Sequence, residues 1–356
     1  MSRWELLHAD CLDAMRAMNA ESVDAIVTDP PYGLSFMGRE WDHGVPGVEF
    51  WTEALRVAKP GAHLVAFGGT RTFHRLACAI EDAGWEVRDC LSWLYGSGFP
   101  KSLDVSKAID KAAGAERKIL ETRTAAVGFD TKKEGGGGWS ASVVNVTAPA
   151  TEAARTWQGW GTALKPAWEP IILARKPLVG TVAANVLAHG TGALNIDGCR
   201  IAASGPSPSV QVRKRKVPPA SPGGIWPTAG DRKVWAEPHH GEDIGRWPAN
   251  VLLDEEAAAM LGEPSRFFYT AKASRKERGE GNTHPTVKPQ ALMRWLVRMV
   301  TPPGGLVLDP FNGSGSTGVA SIAEGFRYIG CEREAEYVEI SRNRLSDAEE
   351  SQRSLF

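Results

Sequence analysis

Two apolar runs, each ended by an acid and a proline, constrain this chain more than any other feature. The first is Val23-Asp24-Ala25-Ile26-Val27, followed by Thr28-Asp29-Pro30-Pro31-Tyr32-Gly33. A short run of this kind forms a strand buried on both faces. Neither proline can donate to a ladder and Pro30 restricts the residue before it, so the strand stops and leaves Asp29 at the carboxyl edge of a sheet. Open α/β sheets bind their ligands at that edge. Asp29, two consecutive backbone carbonyls and the Tyr32 ring together make a cradle for a planar amino group. The acid and the carbonyls accept its hydrogens, and the ring stacks behind it. The alternative is a segment that merely turns the chain.

The second run is Leu306-Val307-Leu308, which leads into Asp309-Pro310-Phe311-Asn312-Gly313-Ser314-Gly315-Ser316-Thr317-Gly318. A strand ends at an acid, a glycine-rich turn follows, and 316–323 begins a helix, so backbone N–H groups converge where an anion or carboxylate can sit. Gly313-x-Gly315-x-x-Gly318 also fits the dinucleotide fingerprint, with Glu332 after the next strand as the ribose acid. On this motif alone a nicotinamide or flavin protein stays open.

From the start of the chain to Tyr95, strand and helix signals alternate, which predicts a parallel sheet. Strands are expected over 4–7, 63–67 and 85–95, and helices over 11–18, 50–58 and 72–83, with Lys59-Pro60-Gly61 as a helix stop. Asp10, at the end of the first strand, is either a ligand contact or a helix cap. Residues 34–42 lack periodicity and read as a loop beside the site. Regular alternation stops at Gly96, with a short helix expected over 104–113 and a flexible run at 135–138. Glu169-Pro170-Ile171-Ile172-Leu173-Ala174-Arg175-Lys176 restores a strand, placed at the sheet edge because of its proline.

The 356 residues carry a formal net charge of −1, which excludes a uniformly basic coat. The charge is nevertheless segregated: residues 101–280 hold 25 Lys+Arg and 19 Asp+Glu. Within them, Arg213, Lys214, Arg215 and Lys216 open a stretch rich in Pro, Gly and Ser, and serve either as a solvated loop or as phosphate contacts. Trp226, Trp235 and Trp247 lie in or beside it, as base contacts or as the core of a small module. The five cysteines are scattered without a Cys-x-x-Cys pair, as suits reduced thiols. No metal site is expected. No apolar run approaches the roughly 20 residues of a membrane span, so the expectation is a cytoplasmic protein.

Thr283-His284-Pro285-Thr286-Val287-Lys288-Pro289 precedes a helix expected over 290–300, with Leu292, Trp295, Leu296, Met299 and Val300 on its apolar face. Thr286 and Lys288 are placed to meet a carboxylate, and His284 reads as an ordinary loop histidine.

Asp29-Pro30-Pro31-Tyr32, then the 283–289 segment, then Asp309-Pro310-Phe311-x-Gly313-x-Gly315 resemble, in that order, the amino-group DNA methyltransferases that use S-adenosylmethionine. Catalytic motif first and cofactor loop last is similar to their permuted beta group. The sequence around 28–42 and 96–101 resembles the site-specific adenine methylases of phages and prophages. The resemblance implies a Rossmann-like, seven-stranded α/β methyltransferase sheet in permuted order with an inserted target-recognition region. It divides the chain into a catalytic half at 1–178 with an inserted loop region near 97–165, a target-recognition region at 179–280, and a cofactor-binding half at 281–356.

By matching motifs, Asp29, Pro30, Pro31 and Tyr32 would be catalytic. Asp309, Phe311, Gly313 and Gly315 would line the methionine end of S-adenosylmethionine, Glu332 its ribose and Asp10 its adenine, with Thr286 and Lys288 closing over its carboxylate. Lys101 joins the 213–216 run as a DNA contact. The implied reaction is methylation of the N6 amino group of a flipped adenine in double-stranded DNA, tipped towards adenine because the turn begins with Asp29. Cytosine-N4 methylation is the alternative, followed by RNA or protein methylation and dinucleotide oxidoreduction. Cytosine-5 chemistry needs a cysteine nucleophile, usually after a proline, and no cysteine here follows one. A homodimer and a restriction endonuclease on a separate chain remain open as partners.

Overall fold

The computed structural model describes residues 2–33, 44–96, 98, 102–130, 138–202, 245–271 and 287–353. The first half alternates as expected: β1 (Trp4–His8), α1 (Cys11–Ala17), β2 (Val23–Thr28), α2 (Val48–Val57), β3 (Ala58–Phe67), α3 (Phe73–Asp82) and β4 (Glu86–Leu94). An excursion follows, comprising α4 (Val105–Ala112), β5 (Ile119–Asp130), β6 (Gly138–Thr147) and α5 (Glu152–Thr156). The chain returns through β7 (Trp168–Arg175), α6 (Val182–His189), β8 (Val251–Asp254), α7 (Glu255–Leu261) and β9 (Tyr269–Ala271). It closes with α8 (Gln290–Val300), β10 (Leu306–Asp309), α9 (Ser316–Ala323), β11 (Arg327–Glu332) and α10 (Ala335–Arg353).

Among the described residues, nine strands form one sheet in the order β1-β11-β10-β2-β3-β7-β4-β8-β9, parallel except for β7. The expected seven strands are the run from β1 to β4, and β8 and β9 extend it at one edge. The order is rotated in the sense expected: β10 and β11, last in sequence, slot between β1 and β2. Crossovers leave in opposite directions from β10 and β2, so this pair is the switch point of the sheet, where a crevice opens.

β2 is fully buried, which explains its apolar run, yet it contains an acid. Asp24 accepts the Leu306 N–H at 2.7 Å and the Lys59 ammonium at 2.6 Å, so its charge is paired and it stitches β2 to both neighbours. Helices cover both faces. On one, Met15, Trp51, Leu76 and Ile80 from α1, α2 and α3 pack against the sheet; on the other, Leu292, Trp295, Leu296, Met299 and Val300 of α8 do, with Ala320 and Ile322 of α9.

Two sequence expectations need correction. Lys59-Pro60-Gly61 does not precede the next strand but lies inside β3, as a bulge where the register against β2 shifts. Gly61 takes φ +77° there, and the Pro60 carbonyl is satisfied by Asn185 and Thr191 instead of a ladder. β7 is not an edge strand: β3 and β4 flank it. Its proline is tolerated because Pro170 lies one residue beyond the last β3 pair, Phe67–Ile171. The Pro170 carbonyl still accepts from Gly68 N–H at 2.9 Å, and its missing N–H faces the point where β3 has ended. The stretch expected as inserted loop also contains the β5–β6 antiparallel hairpin.

Leu296→Ala should cost about 2–5 kcal/mol, because its buried side chain seals α8 onto the sheet. Denaturant unfolding checks this, and a loss under about 1 kcal/mol would mean that α8 is not part of the main core.

Candidate active site

Thr28 ends β2 with its side chain turned to the neighbouring strand, and its hydroxyl donates to Asp309 Oδ1 at 2.6 Å. The Phe311 N–H donates to the same oxygen at 3.1 Å. Asp309 is buried, and burial pushes its carboxyl up to about 6 against the opposing hydrogen bonds from Thr28, Thr317 and Phe311. Its role in the structure is therefore to hold the glycine loop against the end of β2.

Beyond Asp309, the Asn312 side chain accepts the Tyr328 hydroxyl at 2.7 Å and donates to Ser341 at 3.0 Å. Arg344 donates to the Ser314 carbonyl and hydroxyl. Gly315 takes φ +78°, and a Cβ there would collide with the Ser341 hydroxyl, so only glycine fits the turn into α9. Glu332, at the end of β11, accepts the N–H groups of Gly313 at 2.8 Å and Glu334 at 2.9 Å. Burial raises its pKa against those two bonds. Asp10 caps α1 by accepting the Leu12 N–H at 2.9 Å, and it also lines the cavity described below.

On the other side of the switch point, each Asp29 oxygen has a partner. Oδ1 accepts the Tyr32 hydroxyl at 2.7 Å, and Oδ2 accepts the Lys288 ammonium at 2.8 Å. Glu169, at the second position of β7, lies 3.3 Å from both the Tyr32 hydroxyl and Lys288 Nζ. Lys288 is buried above the rings of Tyr32 and Phe67. Burial works to lower its pKa, but the charges of Asp29 and Glu169 prevail and hold it up to about 12. Burial, with Asp29 and Glu169 adding to it, holds the Tyr32 phenol well above its ordinary pKa, so it stays a neutral donor. Gly33 turns the chain at φ +67°, and Thr72 fixes the Tyr32 carbonyl at 2.7 Å.

These halves share one cavity of about 1190 Å³. Asp10, Phe311, Gly313 and Glu332 line one end; Asp29, Pro30, Pro31, Tyr32 and Glu169 line the other. The structure thus brings together most of the residues singled out from sequence. The carboxylates that Lys288 meets in the structure are those of Asp29 and Glu169, and the Tyr32 hydroxyl donates to Asp29. Thr286, Lys101, Arg213, Lys214, Arg215 and Lys216, with His284, Trp226 and Trp235, lie outside the described residues. Trp247 is exposed, with the Arg200 guanidinium 5.4 Å from its ring centre.

Sequence reading missed Glu169 and Thr28. An acid at the start of a strand sits at the carboxyl edge of a parallel sheet only if that strand runs antiparallel, and nothing local in 169–176 reveals its direction. Thr28 carries no motif signal, being simply the last strand residue.

A rotated, parallel, Rossmann-like sheet with a glycine loop and an acid-Pro-Pro-Tyr turn at its switch point defines a methyltransferase-type α/β domain. The family comparison narrows that class: residues 23–343 match the DNA methylase model N6_N4_Mtase, and the chain belongs to this family. Among similar proteins, the type II methyltransferase M2.DpnII of Streptococcus pneumoniae is 37% identical over 90 residues, 25% of this chain and 34% of that protein. The DNA adenine methyltransferase YhdJ of Escherichia coli is 44% identical over 69 residues, 19% of this chain and 24% of that protein. The type II methyltransferase M.HindIII of Haemophilus influenzae aligns at 22% identity over 96% of this chain and 94% of its own length. The chain therefore spans about a third or less of the first two relatives, and nearly all of the third.

Asp309 gives a pH dependence with a defined sign. Its folded pKa, about 6, exceeds the unfolded value near 3.8, so the folded state binds the extra proton between them. The stabilisation this gives is complete below the unfolded value and is lost as pH rises through about 6. Relative to Asp309→Asn, the parent should therefore lose on the order of 2 kcal/mol between pH 4 and 6.5. Denaturant titrations of both proteins across that range check it, and a constant difference would contradict the assignment.

Proposed function

We propose that this chain is an S-adenosylmethionine-dependent DNA methyltransferase acting on the N6 amino group of adenine. The observation that carries the reading is the single cavity joining the glycine loop to the Asp29-Pro30-Pro31-Tyr32 turn. Membership of the DNA methylase family supports the substrate class, and the adenine designation of YhdJ supports the base. A dinucleotide oxidoreductase would use the glycine loop and leave Asp29 and Tyr32 without a task.

The residues present fit the cofactor. Glu332 retains lone pairs for ribose hydroxyls after accepting two N–H groups, and Phe311 offers an apolar wall. Acids outnumber bases in the cavity wall by six to four, which suits a donor with a positive centre. When bound, S-adenosylmethionine supplies an electrophilic methyl group on a sulfonium sulfur. The protein's part is to prepare the acceptor. A nucleobase amine is a poor nucleophile because its lone pair is delocalised into the ring. Hydrogen bonds from the amine to Asp29 and to the Pro30 carbonyl favour a more tetrahedral nitrogen, and the Asp29 charge stabilises the positive charge that develops there. No covalent enzyme intermediate is required. The target base leaves the duplex to reach this depth.

Residues 179–280 serve in this reading as target-recognition region, with Lys101 and the 213–216 run on phosphates. The type II designation of M2.DpnII and M.HindIII supports a pairing with a restriction endonuclease on another chain.

Incubating DNA from a methylation-free host with the protein and labelled cofactor, followed by nucleoside chromatography with mass detection, tests the function. Label is expected in N6-methyladenine. Label in N4-methylcytosine alone would overturn the base and spare the mechanism. In the same assay Asp29→Ala should fall by about 10²-fold or more while calorimetric cofactor affinity stays near that of the parent. Replacing Arg213, Lys214, Arg215 and Lys216 by alanine should lower the salt slope of DNA binding by about one unit per lost phosphate contact, with little change in sequence preference. Superimposable binding isotherms across a salt series would leave that run as a solvated loop.

A further inference from the structure

We propose that Glu169 is a positioning residue of the acceptor pocket, drawing Lys288 and the Tyr32 hydroxyl away from Asp29 when the acceptor amine arrives. The proposal rests on the methyltransferase reading above. Its starting point is that neither oxygen of Asp29 is free in the structure: Tyr32 holds Oδ1 at 2.7 Å and Lys288 holds Oδ2 at 2.8 Å. A carboxylate bonded to a full cation is a poorer acceptor for a neutral amine, because the ammonium competes for the same lone pairs and neutralises the charge the amine needs.

Glu169 Oε2 lies 3.3 Å from both of those donors and on the wall of the same cavity. Closing one of these gaps from 3.3 to 2.8 Å would exchange the stronger bond from Asp29 to Glu169. The two acids differ from the lysine in mobility. Glu169 is fixed through its backbone to Trp93 of β4, one residue before Pro170 and beyond the end of the β3 ladder, so its short side chain works from an anchored strand. Lys288 reaches the pair on a flexible four-carbon stem, with its ammonium 5.4 Å from the Tyr32 ring centre and 4.8 Å from that of Phe67.

Charge leads to the same conclusion. With Glu169 ionised, the pocket has two carboxylates and one ammonium, and keeps a net negative charge to meet the positive charge developing on the amine nitrogen. With glutamine at position 169, Lys288 would rest on Asp29 alone and cancel it. A purely structural Glu169 would need only its shape and hydrogen bonds, which glutamine reproduces.

The test compares the parent with Glu169→Gln, Glu169→Asp, Lys288→Met and the double variant Glu169→Gln with Lys288→Met, each checked by thermal melting and by cofactor affinity. Glu169→Gln should lower kcat by about 10- to 100-fold with the KM for S-adenosylmethionine within about twofold. Glu169→Asp keeps the charge and should stay within about fivefold of the parent. In the Lys288→Met background the glutamine change should alter kcat by less than about threefold, because the cation it diverts is gone. A Glu169→Gln enzyme as fast as the parent, an aspartate variant as slow as the glutamine one, or fully multiplicative losses in the double variant would each overturn the role. A parent that methylates no DNA would instead overturn the methyltransferase reading on which it rests.

Discussion

The hydrogen bond from Thr28 to Asp309, 2.6 Å long and 281 residues apart in sequence, is the interaction on which the site depends. It joins the carboxyl ends of β2 and β10, which lie side by side at the switch point of the sheet. The next residue after Thr28 is Asp29, and the residues after Asp309 form the glycine loop, so this one contact sets the spacing between the two ends of the cavity. At the opposite end of the same strand pair, Asp24 accepts the Leu306 N–H. The pair is thus fastened at both ends by side chains, where parallel strands by themselves share only backbone bonds. The cost is a buried carboxyl at Asp309 with its pKa pushed up to about 6.

Around this frame the chain separates holding from reacting. Asn312, Tyr328, Ser341 and Arg344 hold the glycine loop from behind and leave its front to the cavity. Lys288, Tyr32 and Glu169 surround Asp29 in the same way, but here the supporting groups are themselves charged or polar and stand inside the pocket. The Asp29 end of the cavity is therefore built from charged and polar supports, and the glycine-loop end from supports placed behind the loop.

The additions to the sheet lie away from the switch point. β8 and β9 lengthen it beyond β4, and the β5–β6 hairpin stands apart as its own two-stranded sheet. In an open sheet the far edge can be extended without disturbing the central pair, which is why a domain of this type accepts long insertions while keeping its site.

Much of this was legible in the residues. Val23–Val27 and Leu306–Leu308 announce buried parallel strands, the prolines after Asp29 and Asp309 end them, and Gly313 and Gly315 mark the turn into α9, because each of these signals acts within a few residues of backbone. The rotated order was implied by the resemblance to the permuted amino-group methyltransferases, which place the catalytic motif first. What the sequence alone could not determine is the direction and neighbours of β7: Pro170 suggested an edge, and only the end of the β3 ladder explains how it sits inside. The hairpin at 119–147 and the bulge at Lys59-Pro60-Gly61 likewise depend on strand pairing between distant segments. Strand direction in turn decides that Glu169 meets the Tyr32 hydroxyl and that Lys288, 259 residues from Asp29, pairs with both acids. Local sequence specified the elements and their ends, because those follow from short-range backbone and burial preferences. The partners of each charge were decided by tertiary structure, because Coulomb energy depends on distance in space and carries no mark in a sequence read residue by residue.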